Sequence, residues 1–295
     1  MPRYRIGKFT IDDAIYPERL RNIPDPPPML WYIGDLELLR VPGIAIVGTR
    51  RCSPYGRWAA GEIAKRISAA GVTVISGMAE GIDSAAHWGC LSMEKEQKPG
   101  SPVARTIAVF GTGIDICFPK SNVKLYKEIA ERGLLLSEFE PGTQGWRQNF
   151  PQRNRIISGL SRGVVVVEGE LKSGSMITAG CALEQGRDVF AVPGNINQPG
   201  SRGVNKLISD GAFPIMDIDS VEDVLGIQSL KTQRLQAAMS PEERIMYDAL
   251  RLSPGVTAEY MAMESGFDPR IIMPLLTAME LKGLIRKNGS RYYVK

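Results

Sequence analysis

The chain has 295 residues, which is enough for one α/β domain of ordinary size and a small second domain. Hydrophobic residues make up 43% and charged residues 23%, as in soluble globular proteins, and no apolar run approaches the roughly 20 residues that a membrane span needs. The net charge of +4 permits nucleic acid as a partner without establishing it. No apolar signal core follows Met1, so we expect a cytoplasmic protein with no membrane association.

Residues 1–40 contain few clear elements, and we interpret them as a leader that packs on the main domain. The Asp-Pro-Pro-Pro run at 25–28 predicts a stiff extended segment, because proline-rich stretches favour polyproline II. The apolar residues 30–33 predict a short strand or anchor that ends at Gly34.

Residues 41–226 are predicted to form the main domain, because short apolar runs alternate there with helical patterns. These runs, most of which end in glycine or serine, are 44–47, 72–75, 106–110, 134–136, 164–167 and 189–192. The alternation predicts an α/β fold with a parallel sheet, right-handed crossovers and helices on both faces. A polar stretch at 94–105 predicts a surface loop.

The stretch 152–183 is the predicted centre of this domain. Its β-branched run at 164–167 suits a strand buried on both faces, and basic or polar turns at 153–155 and 172–175 each precede a helical pattern. Helix N-termini beyond the carboxyl ends of parallel strands bind anions. Residues 147–175 hold five basic and two acidic residues, so we predict an anion site, with a solvated basic surface as the alternative.

The first strand ends in Gly48-Thr49-Arg50, which again leaves backbone N–H groups at a helix start beside an arginine. The turn matches neither the GxGxxG of dinucleotide folds nor the GxxxxGK[ST] of P-loops. It therefore indicates anion binding without indicating a nucleotide cofactor.

A catalytic serine at Ser76 with Asp83 and His87 is conceivable, but no nucleophile elbow is present and we favour a packing or hydrogen-bonding role for His87. The carboxylates of Asp83, Asp115, Glu168 and Glu170 match no metal-binding loop. The four cysteines form no CxxC pair. We therefore expect no catalytic set, no metal and no cofactor.

Four aromatic residues are candidates for stacking on nucleobases: Tyr55, Phe118, Trp146 and Phe150. Filling of the core is an equally good interpretation, since most aromatic side chains of such a domain do that.

The last part of the chain changes character. Residues 227–239 are polar and are interpreted as a linker, and 240–295 predict a small domain of three helices and a hairpin with its turn at Gly289, the plan of a winged helix. The predicted third helix is not basic, so an interaction or structural module is favoured over a reader of duplex DNA.

Taken together, the motifs over about residues 15–226 resemble the DNA-processing protein A family (DprA, also called Smf). The resemblance is carried by 46–50 with Tyr55-Gly56, Ser76-Gly77 with 81–83 and Ala86-His87, Gly111-Thr112-Gly113, 153–157, 172–175 with Thr178-Ala179, and Val192-Pro193-Gly194. It implies an extended Rossmann-like parallel sheet with a mixed edge, and a small winged-helix domain after it.

The resemblance further implies a non-enzymatic, homodimeric protein that binds single-stranded DNA and loads the RecA recombinase onto it in natural transformation and homologous recombination. The DNA- or phosphate-binding residues that it implies are Gly48, Thr49, Arg50, Gly77, Gly111, Thr112, Gly113, Arg153, Asn154, Arg155, Lys172, Ser173, Gly174 and Ser175. Arg50 and Lys172 would contact phosphates.

The chain departs from the family pattern in two places. Thr49 stands where serine is commoner, and the chain starts too late for the N-terminal helical domain of many members. The alternative function is a nucleotide-processing enzyme of the phosphoribohydrolase type, with Glu138, Glu168 or Asp83 as acid or base. Such enzymes are expected to carry a PGGxGTxxE-type motif, which the nearest segment, 193–197, lacks.

Overall fold

The computed structural model describes residues 4–96, 106–227 and 239–294. They form two compact units, one up to residue 227 and one from 239. Most of the predicted surface loop, 97–105, and all but the ends of the predicted linker, 228–238, lie outside the described residues. Residues 94–96, predicted as part of that loop, instead belong to a helix.

One large sheet organises the first unit. In the described part of the chain it has nine strands in the order β1-β2-β6-β5-β4-β3-β7-β8-β9. They are β1 (Gly7–Thr10), β2 (Met29–Gly34), β3 (Gly43–Val47), β4 (Thr73–Ser76), β5 (Thr106–Phe110), β6 (Leu134–Ser137), β7 (Gly163–Val166), β8 (Asp188–Ala191) and β9 (Phe213–Pro214).

Strands β3 to β9 pair in parallel, whereas β1 and β2 pair antiparallel with each other and β2 with β6. The predicted α/β fold with a mixed-edge parallel sheet is thus confirmed. Residues 1–40 contain more structure than predicted, since both antiparallel strands, a short helix α1 (Glu18–Arg21) and a 3₁₀ helix (Leu36–Arg40) lie there.

Helices cover both faces of the sheet. On one face lie α2 (Pro54–Ala69), α3 (Ile82–Glu96), α4 (Val123–Arg132) and α8 (Val221–Val224), and on the other α1, α5 (Asn149–Leu160), α6 (Gly174–Glu184) and α7 (Arg202–Ser209). Side chains of β3 alternate between the two cores: Ile44 and Ile46 face α2 and α3, and Ala45 and Val47 face α5 and α6. This explains why the strands are continuous apolar runs.

The chain direction in the sheet creates a crevice between β3 and β7. From β3 the chain proceeds through β4, β5 and β6 on one side, and then returns to place β7 on the other side of β3. The connections after β3 and after β7 therefore lead away from each other. Such a topological switch point opens a binding crevice outside the carboxyl ends of the strands.

The second unit has three helices and a three-stranded antiparallel sheet. They are α9 (Pro241–Leu252), β10 (Val256–Thr257), α10 (Ala258–Ser265), α11 (Pro269–Leu281), β11 (Ile285–Asn288) and β12 (Arg291–Val294), and the strand order is β10-β12-β11. The predicted three helices and hairpin are present. Their apolar faces enclose a separate core that includes Met246, Leu276 and Tyr292.

None of the helices in the described ranges is both long enough and apolar enough to cross a membrane.

A capping box begins the second unit. The Ser240 hydroxyl accepts a hydrogen bond from the Glu243 N–H at 3.2 Å, and the Glu243 carboxylate accepts one from the Ser240 N–H at 3.0 Å. We expect Ser240→Ala to lower the free energy of unfolding of this unit by about 1 kcal/mol, because the first turn loses an acceptor. Urea denaturation followed by circular dichroism measures it. Ser253→Ala, just after the same helix, is the control, and equal losses for the two variants would contradict the assignment.

Candidate nucleic-acid interface

A pocket of about 850 Å³ lies at the carboxyl ends of the central strands, where the topological switch predicts a site. Its wall is built by the segments that follow β3, β4, β5 and β7, by α5 with the loop before it, by the start of α6, and by the loop after β8. Its lining residues are 47–53, 79, 83, 118, 145, 147, 150, 151, 153, 154, 157, 168, 170, 173–175, 177, 178, 198 and 200.

The turn after β3 is held by backbone hydrogen bonds to neighbouring loops, and the Arg50 side chain after it is exposed to solvent. The Thr49 N–H donates to the Glu168 carbonyl at 2.7 Å, and the Thr49 carbonyl accepts from the Ile82 N–H at 3.2 Å. A Cβ on Gly48 would come within 2.5 Å of the Ile82 side chain, so this position needs glycine for close packing. The Arg50 side chain is exposed, with its guanidinium carbon 5.5 Å from the centroid of the Phe150 ring.

Arg153 lies inside a helix, which corrects the predicted helix start at 153–155. Helix α5 begins four residues earlier, at Asn149. The Arg153 side chain is buried and donates to the Gly77 carbonyl at 2.6 Å and to the Val109 carbonyl. Burial lowers the pKa of Arg153 to about 10, although the nearby Asp83 carboxylate opposes this effect. Its guanidinium ties α5 to the ends of β4 and β5.

The two residues after Arg153 also make internal contacts. The Asn154 side-chain amide donates to the Gly174 carbonyl at 3.2 Å, which connects α5 with the start of α6. The Arg155 guanidinium forms ion pairs with Glu138 at 2.6 Å and with Asp25 at 2.9 Å. Arg155 is not among the residues that line the pocket.

The second predicted helix start is confirmed: α6 begins at Gly174, with Ser173 as its N-cap. The first N–H groups of an α-helix have no acceptor within the helix, so this end offers donors and a positive dipole end to an anion. The Ser173 and Ser175 hydroxyls lie 2.7 Å apart. Gly174 is exposed, and Lys172 is exposed just before the cap but does not line the pocket.

Carboxylates already occupy two neighbouring donor sites. One Glu168 oxygen accepts from the Ser53 N–H at 2.9 Å and from the Ser53 hydroxyl at 3.0 Å, at the start of α2. One Asp83 oxygen accepts from the N–H groups of Gly77 and Ala79, at 3.2 and 3.3 Å. Among the described residues of the pocket, no carboxylate accepts from the first turn of α6. This end is therefore where an added anion meets unused donors.

Burial disfavours the ionised form of Asp83 and raises its pKa, an effect that the Arg153 charge opposes. Glu170 also lines the pocket, but its side chain is exposed.

The structure brings eight of the fourteen predicted residues into the pocket: Gly48, Thr49, Arg50, Arg153, Asn154, Ser173, Gly174 and Ser175. The other six do not line it: Gly77, Gly111, Thr112, Gly113, Arg155 and Lys172. Several of these six serve internal bonds. The Gly77 N–H donates to Asp83, the Gly113 N–H donates to the Thr143 carbonyl at 2.8 Å, and the Thr112 hydroxyl donates to the Ile116 carbonyl.

The residues considered for nucleophilic catalysis are also engaged in the core. The Ser76 hydroxyl donates to the Ile46 carbonyl at 2.6 Å. The Thr106 hydroxyl donates to the Val74 carbonyl, so it accepts from Nδ1 of His87 at 2.7 Å, which places the imidazole proton on Nδ1. Nε2 of His87 is buried without a partner, and burial lowers the pKa of His87 to about 3. This histidine is neutral and is not bonded to Ser76.

Carboxylates named for the alternative enzyme are similarly bound. Glu138 accepts from Arg155 and from the Gln152 amide at 3.3 Å, and it does not line the pocket. In the described ranges, no group of three or more His, Cys, Asp or Glu side chains is placed to hold a metal ion.

Sequence reasoning did not single out Arg51, Gln198 or Gly200, which also line the pocket. Gln198 and Gly200 belong to the loop after β8. Ligands of open α/β sheets bind beyond the carboxyl ends of the strands, so this rule predicts that the loop contributes to the site. Of the aromatic candidates, Phe118 and Phe150 line the pocket with ring centroids 5.4 Å apart, whereas Tyr55 and Trp146 do not line it.

The chain matches, over residues 8–226, the family described as DNA recombination-mediator protein A. The chain belongs to this family. DNA processing protein DprA of Streptococcus pneumoniae is 45% identical over 208 residues, which are 70% of this chain and 70% of that protein. Protein Smf of Synechocystis is 41% identical over 241 residues, 80% of this chain and 58% of that protein. The chain thus spans less than two thirds of the length of that Smf relative.

Two solved structures of family members share the fold. DNA processing protein A from Streptococcus pneumoniae is 41% identical with a TM-score of 0.68, and the match covers 74% of each chain. The protein from Helicobacter pylori is 30% identical with a TM-score of 0.67, and the match covers 76% of this chain and 97% of that one. The latter structure concerns the single-stranded DNA binding mode of the Helicobacter pylori protein.

The side-chain bonds of Glu168 give a prediction on stability. We expect Glu168→Ala to lower the free energy of unfolding by about 1–3 kcal/mol, because the Ser53 N–H and hydroxyl lose a charged acceptor. Urea denaturation measures the change. Glu170→Ala removes the same charge from the same pocket without removing a side-chain bond, and it should stay within about 0.5 kcal/mol of the parent. Equal effects of the two variants would refute the capping role.

Buried His87 predicts a pH dependence of stability. Its pKa is about 3 in the folded chain and near 6.5 in the unfolded chain. Between these values only the unfolded state binds the proton, so stability falls as pH decreases, by up to about 1.4 kcal/mol per pH unit. We expect His87→Gln to lose this slope between about pH 6.5 and 5, above the range where most carboxylates titrate. Urea denaturation at several pH values tests it, and an unchanged slope would argue against a neutral buried histidine.

Proposed function

We propose that this protein binds single-stranded DNA in the pocket at the carboxyl ends of β3, β4 and β7 and delivers the RecA recombinase onto that DNA. The setting would be natural transformation and homologous recombination in the cytoplasm, as the family resemblance implies. The observation that carries the proposal is one pocket that combines an exposed arginine, Arg50, a helix N-terminus at Gly174 without a side-chain cap, and a pair of aromatic rings.

Phosphate binding is supported by the charges that face the pocket. Arg50, Arg51 and Arg147 are exposed residues of its lining. The opposing charge of Glu168 is turned toward Ser53 and the start of α2, where it is satisfied by two hydrogen bonds. A phosphate seated at the first turn of α6 would meet backbone donors with Arg50 across the same pocket. Because every nucleotide carries the same phosphate, this contact does not depend on sequence and suits a protein that binds strands of any sequence.

Preference for a single strand is supported by the rings of Phe118 and Phe150. Phe118 is 42% exposed, so part of its face is available to a ligand. Bases of a single strand can unstack and lie on such rings, each contact being worth about 1–3 kcal/mol, whereas the bases of a duplex are already stacked and paired. Trp146, which is also exposed, belongs to the loop that leads into α5 and offers a further ring beside the pocket.

A binding role without chemistry is supported by the state of the acid and base groups. His87 and Ser76 are bonded inside the core, and Glu138 is paired with Arg155. Asp83 accepts from the backbone of the turn before its own helix, and Glu168 accepts from the Ser53 N–H at the start of α2. A general base needs a free lone pair within reach of substrate. Each of these groups is instead part of the scaffold of the pocket.

Homodimerisation is part of the proposal, as the family resemblance implies. The short strand β9 ends the large sheet, and edge strands are surfaces on which a further chain can pair. Phe213 on this strand and Met216 after it are exposed apolar side chains. This edge offers a second copy an apolar contact surface away from the lining of the pocket.

The test is a fluorescence-anisotropy titration of a labelled single-stranded oligonucleotide beside a duplex of the same sequence. We expect binding of the single strand to weaken as salt rises, with a log–log slope of about −0.7 for each phosphate contacted. Arg50→Ala and Lys172→Ala should each reduce the steepness of this slope by about 0.7 and weaken binding of all sequences alike.

The control is Arg162→Ala, which removes the same charge from an exposed residue next to the amino end of β7, at the opposite edge of the sheet. It should leave both affinity and slope unchanged. A pocket role would be excluded by equal effects of Arg50→Ala and Arg162→Ala. Equal affinity for single strand and duplex would remove the claim of single-strand preference, and RecA delivery would then lose its premise.

A further inference from the structure

The charges of the second unit are separated along the chain. Residues 239–281, which contain its three helices, hold three basic and seven acidic residues, whereas residues 282–294 hold four basic and no acidic residues. The basic residues are therefore gathered on and beside the hairpin of β11 and β12. One of them, Lys282, is committed to an ion pair with Glu243 at 2.6 Å.

The pleat of the hairpin sorts its side chains into two faces. Ile285 and Tyr292 are buried in the core of the unit. Because side chains alternate along a strand, residues one position away face outward, and the register pairs Arg286 with Tyr293 and Asn288 with Arg291. We call these four residues, Arg286, Asn288, Arg291 and Tyr293, the basic sheet face.

Internal contacts hold the basic sheet face in place. The Arg286 guanidinium carbon lies 5.6 Å from the centroid of the Tyr293 ring. One terminal guanidinium nitrogen of Arg291 donates to the carbonyl of Gly255, the residue before β10, at 3.1 Å. Arg286 and Arg291 are nevertheless exposed residues, and in the described part of the second unit neither forms an ion pair. Their charges are thus available to an external anion.

We propose that the basic sheet face is a second single-stranded DNA site, which contacts the phosphates of the strand beyond the part held in the pocket. The proposal rests on the proposed function only for the choice of the strand. Two exposed guanidinium groups, an amide and a tyrosine ring on one small sheet are the groups that bind phosphates and bases of a single strand. Acidic protein partners are disfavoured as occupants, because the apolar residues that would anchor such a chain are absent from this face.

The position of the charges also explains how a unit without a basic third helix contributes to DNA binding. Helix α11 exposes Ile271, Met273 and Leu281, which offer bases no hydrogen-bonding groups. The hairpin contacts the backbone instead, so the site adds affinity without sequence preference. Two sites on one chain raise the affinity for a strand that reaches both, because the second contact is intramolecular.

The experiment compares two single-stranded oligonucleotides, of about 6 and about 40 nucleotides, with the full chain in anisotropy titrations over a range of salt. We expect Arg286→Ala/Arg291→Ala to weaken binding of the long oligonucleotide about tenfold and to reduce the steepness of its salt slope by about 1.4, the share of two phosphates. Binding of the short oligonucleotide, which occupies one site at a time and is dominated by the pocket, should stay unchanged.

The matched control is Arg251→Ala/Arg270→Ala, which removes two charges from exposed positions on α9 and α11 of the same unit. It should leave the affinity for both oligonucleotides unchanged. Because Arg291 donates a hydrogen bond to the Gly255 carbonyl, Arg286→Glu serves as a second variant that keeps this bond. It should weaken binding of the long oligonucleotide only. Unchanged binding of the long oligonucleotide in both variants, or an equal loss in the control, would overturn the proposal.

Failure of this site and failure of the pocket are distinguishable. Arg50→Ala should weaken binding of both oligonucleotides, whereas the hairpin variants should weaken binding of the long one only. If Arg50→Ala had no effect while the hairpin variants still weakened the long oligonucleotide, the pocket proposal would fail and the second site would stand. The parent chain could instead bind an acidic peptide selectively while the hairpin variants leave the affinity for both oligonucleotides unchanged. That result would assign the face to a protein partner and overturn the DNA site.

Discussion

The buried guanidinium of Arg153 is the contact on which the pocket depends. A charge removed from water is costly unless it is paired or hydrogen-bonded. Here one terminal nitrogen of the guanidinium donates to the Gly77 and Val109 carbonyls with the Asp83 carboxylate nearby, while Nε has no partner among the described residues. Those carbonyls belong to the ends of β4 and β5, so one side chain of α5 fixes the floor of the pocket. Asp83 holds the N–H of Gly77 as well. The turn after β4 is therefore held from both of its backbone groups.

Hydrogen bonds between carboxylates and backbone donors also decide where an anion can bind. The switch point brings several turns and helix starts to one edge of the sheet, and each would attract negative charge. Glu168 satisfies the start of α2, and Asp83 satisfies the turn before α3. Helix α6 keeps its unused donors and lies in the same pocket as Arg50. Under the proposed function, the first turn of α6 with Arg50 is where a phosphate of the strand binds, because Glu168 and Asp83 already accept from neighbouring donors.

The sequence predicts the fold well because strand burial and strand direction leave a strong pattern, as in the β-branched run of β7. The roles of the site residues stay predictions, because a motif does not reveal which atoms are already hydrogen-bonded within the fold. Arg153 resembles a phosphate ligand, yet one of its terminal nitrogens already donates to two carbonyls. Gly113 resembles a ligand-binding glycine, yet a Cβ there would lie 2.6 Å from the Glu140 carbonyl, so packing alone requires it. Such contacts join residues far apart in sequence, and spacing does not encode them.

Glu168 and Asp83 accept hydrogen bonds from the backbone of the pocket, which fits the proposal that the protein holds a strand without transforming it. Proton transfer requires a group whose two protonation states are both accessible near neutral pH. His87, whose pKa lies near 3, has only the neutral form there, and Glu168 would have to break two hydrogen bonds to act on a ligand. Arg50, by contrast, is exposed, and among the described residues its side chain contacts the Phe150 ring without an ion pair or a side-chain hydrogen bond. Glu170 is a further exposed carboxylate of the pocket, whereas Arg50 and the first turn of α6 are the groups to which the proposal assigns phosphate binding.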